Sequence, residues 1–177
     1  MKALVFDTET TDLIKNIGRP LKKQPHVIEF FGVTVDHETL EMGDSLSHLI
    51  HPGFKIGEET TRITGITPDM LTGKPSFKDV AKDIKDFVED HDRIVAHNLG
   101  YDHDMLQFEF QRIGVPIRLP PGICTIETTE HFKGYRLKLA DLHLYLFGHD
   151  FTGHHRAEED TRATARCYIE LLKRGEV

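Results

Sequence analysis

The sequence is short of the features that mark stapled, membrane-bound or repetitive proteins. Its only two cysteines among 177 residues, Cys124 and Cys167, lie far apart, which suits reduced thiols in a cytosol and leaves no paired cysteines for zinc. No stretch approaches the roughly eighteen apolar residues of a transmembrane helix. The opening MKALVFDTET has too short an apolar run, broken too early by an acid, for a signal peptide. A cytoplasmic protein with no membrane association is therefore expected. Low-complexity segments, internal repeats and separating linkers are also missing, so residues 1–177 read as a single domain. That length buries a core without help from metal or disulfide. Positive charge is scarce too. With 22 Lys and Arg against 29 Asp and Glu, the net charge is −7, which argues against broad counterion-release binding to duplex DNA but not against a local nucleic-acid site.

What is present begins with the stretch 5-VFDTETTDL-13. In a strand, side chains at i and i+2 share a face, so Asp7 and Glu9 project side by side from the end of an apolar run. Two like charges so close are unfavourable unless something positive sits between them, and a hard divalent cation with oxygen ligands is the simplest such group. The plainer reading is a strand that ends in a polar turn. Beyond it, 14-IKNIGRPLKKQP-25 is a loop carrying Lys15, Arg19, Lys22 and Lys23, either a grip for a phosphate backbone or a solvated surface.

The runs 26–36 and 41–50 read as an antiparallel pair that continues a meander from the first strand. Residues 51–76 read as a loop with a short helical turn. A helix follows over 76–91, opened by Ser76 with Asp79 three residues on. Next come a short strand over 94–97, a helix from Tyr101 to Ile113, a last strand within 117–126, helical stretches over 126–133 and 138–147, and a terminal helix. This order predicts an α/β fold, a mixed sheet with helices on its faces, whose ligand sites lie at strand ends and adjoining loops.

Three separated pieces, 7-DTE-9, 97-HNLGYD-102 and 155-HRAEED-160, bring the pattern into focus. Together with VIEFFGVTVD and TGITPDML they resemble the DEDD superfamily of 3′→5′ exonucleases. The H-x-A-x-x-D ending belongs to the subgroup often written DEDDh, which includes polymerase proofreading subunits. The resemblance implies a ribonuclease-H-like fold, a mixed five-stranded sheet flanked by helices, and two divalent metal ions, Mg²⁺ or Mn²⁺. It makes Asp7 the ligand that bridges both ions and Glu9 a ligand that also meets the terminal 3′-hydroxyl. Asp102 serves the second ion, Asp160 binds the nucleophile-side ion, and His155 is the general base. Thr10, Leu13, Ile66, His97 and Asn98 resemble positions that line the pocket for the terminal nucleotides. Leu13 and Ile66 are also readable as ordinary core, and Asn98 as the cap of a turn. The family often has Gly where Asp12 stands here, which puts the local turn geometry in question.

The implied chemistry is physically coherent. Two ions about 3.5–4 Å apart clamp the attacking and leaving oxygens of a phosphodiester, and a histidine with a pKa near neutrality takes the proton from the attacking water. The expectation is removal of nucleoside 5′-monophosphates from single-stranded or frayed 3′ ends. DNA is the leading substrate and RNA the close alternative. A catalytically silent nucleic-acid or polymerase-binding module of the same fold is the reading from a different class. Expected partners are a single-stranded 3′ end and a DNA polymerase docked on the folded surface, since the chain ends with the last helix; action alone or as a homodimer stays open. The remaining histidines, among them His91, His149 and His154, read as chance neighbours without zinc-site spacing. Lys133, Arg136 and Lys138 read as a solvated face.

Overall fold

The computed structural model describes residues 1–151 and 156–177. Five strands, β1 (Lys2–Thr10), β2 (Val27–Asp36), β3 (Met42–Leu49), β4 (Arg93–Ala96) and β5 (Gly122–Cys124), form one sheet in the order β3-β2-β1-β4-β5. The meander is present: β1 pairs antiparallel with β2, and β2 with β3. On its other side β1 runs parallel to β4, which runs parallel to β5. The sheet is therefore mixed, with its change of direction centred on β1.

The helices are α1 (Glu58–Thr64), α2 (Pro68–Leu71), α3 (Phe77–Glu89), α4 (Leu99–Arg112), α5 (Thr125–Thr129), α6 (Leu139–Phe147) and α7 (Ala157–Arg174). The capping box expected at Ser76 is formed, with the Ser76 amide donating to Asp79 at 2.8 Å. One detail differs from expectation and another refines it. The Gly- and Thr-rich segment 51–76 holds two short helices, α1 and α2. The first is ended by Gly65 at φ 70°, and the second is opened by Thr67, whose side chain accepts from the Met70 amide. The strand expected within 117–126 is only three residues long, because 118-RLPP-121 carries prolines that cannot donate to a ladder.

Alternation along β1 sends its residues to two cores. Leu4 and Phe6 point to one face, where they pack with Ile84 and Val88 of α3 and Met105 and Leu106 of α4. Ala3 and Val5 point to the other, with Val33 and Val35 of β2 and Ala165 and Tyr168 of α7. Since β2 is covered on both sides, all its residues but the last are buried, which is why its hydrophobic alternation is only partial.

The basic loop between β1 and β2 is tied down by α4. Arg112 pairs with buried Glu109 at 2.7 Å and donates to the backbone carbonyls of Leu21, Gln24 and Pro25 at 3.2, 2.8 and 2.8 Å. Glu109 in turn accepts from the Val27 amide at 3.0 Å. Removing one partner of a buried, hydrogen-bonded pair strands the other charge. Arg112→Ala is accordingly expected to cost about 3 kcal/mol, read as a lowered urea midpoint with an unchanged slope.

Candidate active site

The parallel β1–β4 ladder ends at Val5, so the residues of β1 beyond it have no β4 partner. The freed edge is taken by a side chain. Asp102, in the first turn of α4 and 2% exposed, accepts at Oδ1 from both the Thr8 amide (3.0 Å) and the Thr8 hydroxyl (2.7 Å). Thr8 faces α4, whereas the odd-numbered Asp7 and Glu9 continue the face of Ala3 and Val5, toward α7.

On that face Asp7, Glu9 and Asp160 come together. Each offers a carboxylate oxygen, and the three oxygens lie within 4.8 Å of one another, all three residues being partly buried. Asp160 reaches the group from the first turn of α7. A fourth acid lies close to the three. Glu29 of β2 is the cross-strand partner of Glu9, next to a register shift between Glu9 and Thr10 of the kind that re-aims strand side chains. Glu29 is 4% exposed and holds the start of α7. It accepts from Arg156 at 2.8 and 3.2 Å and from the Ala157 amide at 3.0 Å.

Crowding of like charge marks the titration of the group. Burial, followed by the charges of Asp160, Glu29 and Asp102, pushes the Glu9 carboxyl up to about 8, with Arg156 pulling the other way. Asp7 is held well above the usual carboxylate range by burial, then by Asp102, Glu9 and Asp160. Asp102 is raised to about 7 by burial, against the hydrogen bonds from Thr8. Carboxylates that resist ionisation because they are buried, and in the case of Asp7 and Glu9 also because other carboxylates surround them, are satisfied by a cation. An all-oxygen donor set suits a hard divalent ion, so the residues present fit Mg²⁺ or Mn²⁺.

The other expected site residues are distributed unevenly. Asp102 is outside the cluster of three but near enough for its charge to act on Asp7. The Thr10 hydroxyl is 2.5 Å from the Tyr101 hydroxyl and 2.9 Å from the Asp12 carbonyl, so it braces the turn after β1. Leu13 is 69% exposed on that turn. Asp12, where the family often has Gly, accepts from the Leu13 amide at 2.8 Å and pairs with Lys15 at 2.7 Å, a turn held by side-chain contacts. Ile66 has no exposed surface and packs with Ile28, Ile56 and Leu71, the ordinary-core alternative for that position. His97 bonds Thr125 Oγ1 at 2.8 Å through Nδ1, and burial lowers its pKa to about 4. Asn98 is exposed at the N-cap of α4 with φ 79°, a left-handed conformation that Asn tolerates better than most residues. His155 and His154 fall outside the described residues. His91 is bonded to Thr34 at 2.8 Å and to the Phe87 carbonyl at 2.6 Å.

Sequence reasoning did not single out Glu29, Arg156 or Tyr101. An acid between Ile28 and Phe30 in an otherwise apolar strand was the available signal for Glu29. Its position opposite Glu9 depends on a strand register that no local pattern specifies.

Comparison with known proteins identifies a family and a fold. A family model described as exonuclease, RNase_T, matches residues 4–168. The chain is 31% identical to DNA polymerase III PolC-type of Bacillus cereus over 174 residues, covering 96% of this chain and 11% of the relative. It is 30% identical to the PolC-type polymerase of Staphylococcus saprophyticus over 178 residues, covering 98% and 11%. This chain thus spans about a tenth of the length of those relatives. Among solved structures, the nuclease domain of 3′hExo, a DEDDh family member bound to rAMP, superposes with a TM-score of 0.79 at 21% identity, covering 98% of this chain and 92% of that one. Exonuclease X in complex with 5′ overhanging duplex DNA superposes at 0.73 with 22% identity, covering 99% and 93%. Both share the ribonuclease-H-like fold found here.

The electrostatics yield a test without substrate. Between about pH 4.5 and 8 the folded protein retains a proton on Glu9 that the unfolded chain has lost, so metal-free stability falls as pH rises through that window. Glu9→Gln should flatten this fall and raise the melting temperature in EDTA at pH 8. Mn²⁺ should raise the wild-type melting temperature more at pH 8 than at pH 5.5, as scanning fluorimetry would record.

Proposed function

This chain belongs to the RNase_T exonuclease family, and from that premise we propose that it is a divalent-metal-dependent 3′→5′ exonuclease that shortens single-stranded or frayed DNA. The observation that carries the reading is the convergence of Asp7, Glu9 and Asp160 oxygens within 4.8 Å at a strand end. In this proposal residues 1–177 act as one exonuclease domain.

Asp7, Glu9 and Asp160 would hold two divalent ions, with Asp102 completing the set from α4. Such ions would supply activation of the attacking water and neutralisation of charge on the phosphoryl and leaving oxygens. The protein's own residues do the positioning. Asp7 and Glu9 are fixed by strand pairing with Phe31 and Glu29, and Thr8 anchors Asp102. Glu29 seats the start of α7 and thereby the position of Asp160. His155, one residue before Arg156, takes the proton from the water as it attacks phosphorus. The bond from phosphorus to the 3′-oxygen breaks, leaving a 3′-hydroxyl on the shortened strand and releasing a nucleoside 5′-monophosphate. Thr10, Leu13, His97 and Asn98 border the terminal nucleotides in this reading, and Ile66 supports them from the core.

DNA is preferred over RNA because the relatives with 30–31% identity are DNA polymerases, whereas the structural neighbour bound to rAMP shares only 21%. The same relatives support a proofreading role beside a DNA polymerase.

The decisive experiment incubates the protein with 5′-labelled single-stranded DNA and the matched RNA in Mg²⁺, Mn²⁺ or EDTA. A ladder shortening from the 3′ end is expected with DNA, abolished by EDTA and by Asp7→Ala, and reduced about 10²–10⁴-fold by His155→Ala. Absence of cleavage with every metal and both polymers would overturn the reading in favour of a silent binding module.

A further inference from the structure

The loop between β1 and β2 concentrates unneutralised positive charge in a protein of net charge −7. Arg19, Lys22 and Lys23 are exposed and line a groove of about 310 Å³ together with Leu13, Gln24 and Phe54. Among the described residues none of the three cations forms an ion pair, whereas Lys15 beside them is spent on Asp12. Three neighbouring cations repel one another, and an ordered loop is held against that repulsion by two polar hubs. Gln24, 4% exposed, donates through Nε2 to the carbonyls of Asn16, Ile17 and Arg19 at 2.9, 3.2 and 3.2 Å. Arg112 holds the other side through the carbonyls of Leu21, Gln24 and Pro25.

The flanks of the groove are apolar and open. Leu13 is 69% and Phe54 48% exposed, and Phe54 lies edge-on to His26 with ring centroids 5.4 Å apart. Cations interleaved with exposed apolar and aromatic side chains suit a single strand, whose phosphates take the charges and whose unstacked bases take the flat faces. An acidic protein surface would have little use for the aromatic flank. The groove is also coupled to the carboxylate site. Leu13 is four residues beyond Glu9, at most about 14 Å along the chain. The intervening turn is pinned to α4 by Tyr101, which donates to the Asp12 carbonyl at 3.0 Å.

We propose that this groove is a second subsite that holds the phosphate backbone of the substrate strand a few nucleotides upstream of the cleaved bond, with Arg19, Lys22 and Lys23 on phosphates and Phe54 on a base. The inference rests on the exonuclease reading for its substrate, and it makes the enzyme's grip on long strands separable from its chemistry.

The test compares wild type, the triple variant Arg19→Ala/Lys22→Ala/Lys23→Ala and Phe54→Ala on two substrates with Mn²⁺: the p-nitrophenyl ester of thymidine 5′-monophosphate, with no upstream phosphate or base for the three cations or Phe54 to hold, and a long oligothymidylate. Anisotropy of a labelled oligothymidylate in EDTA measures binding without cleavage. The triple variant should cleave the small ester at the wild-type rate, raise KM for the oligonucleotide about tenfold or more, and flatten the slope of log affinity against log salt by about 2. Phe54→Ala should weaken oligonucleotide binding about tenfold with the salt slope unchanged. Wild-type KM, binding and salt slope in the triple variant would overturn the groove, whatever happens to the ester. Failure of the wild type to cleave either substrate would overturn the exonuclease reading alone, because the binding arm still reports on the groove.

Discussion

Repulsion among carboxylates is the constraint around which the rest of this molecule is arranged. Asp7, Glu9 and Asp160 meet at one point with Glu29 and Asp102 close behind, a grouping that lowers stability in the absence of a counter-ion. The fold contains partial offsets. Arg156 pairs with Glu29 and draws Glu9 toward ionisation, and Thr8 stabilises the Asp102 carboxylate by two hydrogen bonds. Asp160 sits in the first turn of α7, where the positive end of the helix dipole favours an anion. What these offsets leave uncompensated is the attraction available to cations, so the cost of folding an acidic site becomes affinity for metal.

The mixed sheet supplies the rigidity that such a site requires. Because β1 is central, with an antiparallel neighbour on one side and a parallel one on the other, its alternate residues serve two purposes. Even-numbered Leu4, Phe6 and Thr8 anchor the strand to α3 and α4, and odd-numbered Asp7 and Glu9 face α7. The end of the β1–β4 ladder at Val5 leaves a strand edge that Asp102 occupies, so one gap in the sheet both positions a carboxylate and satisfies a backbone amide.

Much of this was legible from the chain because it depends on local periodicity. The D-x-E spacing at Asp7 and Glu9, the apolar stripe and capping box of α3, and the glycine stop of α6 at Gly148 are short-range signals, and the elements lie where those signals put them. The two short helices in 51–76 were obscured by Gly, Pro and Thr, whose turn chemistry hides a single helical turn. Three of the acids singled out, Asp7, Glu9 and Asp160, do come together, but their surroundings were not legible. Glu29 is paired with Glu9 by register, Tyr101 meets Thr10 across ninety-one positions of chain, and Ile66 lies in a minor core, none of which has a local signature.

The separation of Asp7 from Asp160 also governs when the site comes into being. Docking of α7 against β1 and β2 closes a loop spanning most of the chain, and contacts so distant in sequence are expected to form late because loop closure must precede their reward. Through synthesis and early folding Asp7 and Glu9 stand at the end of β1 without their third partner. The three-carboxylate grouping is therefore absent until α7 has been made and has docked on the sheet, and the timing of its assembly is set by the topology of the fold.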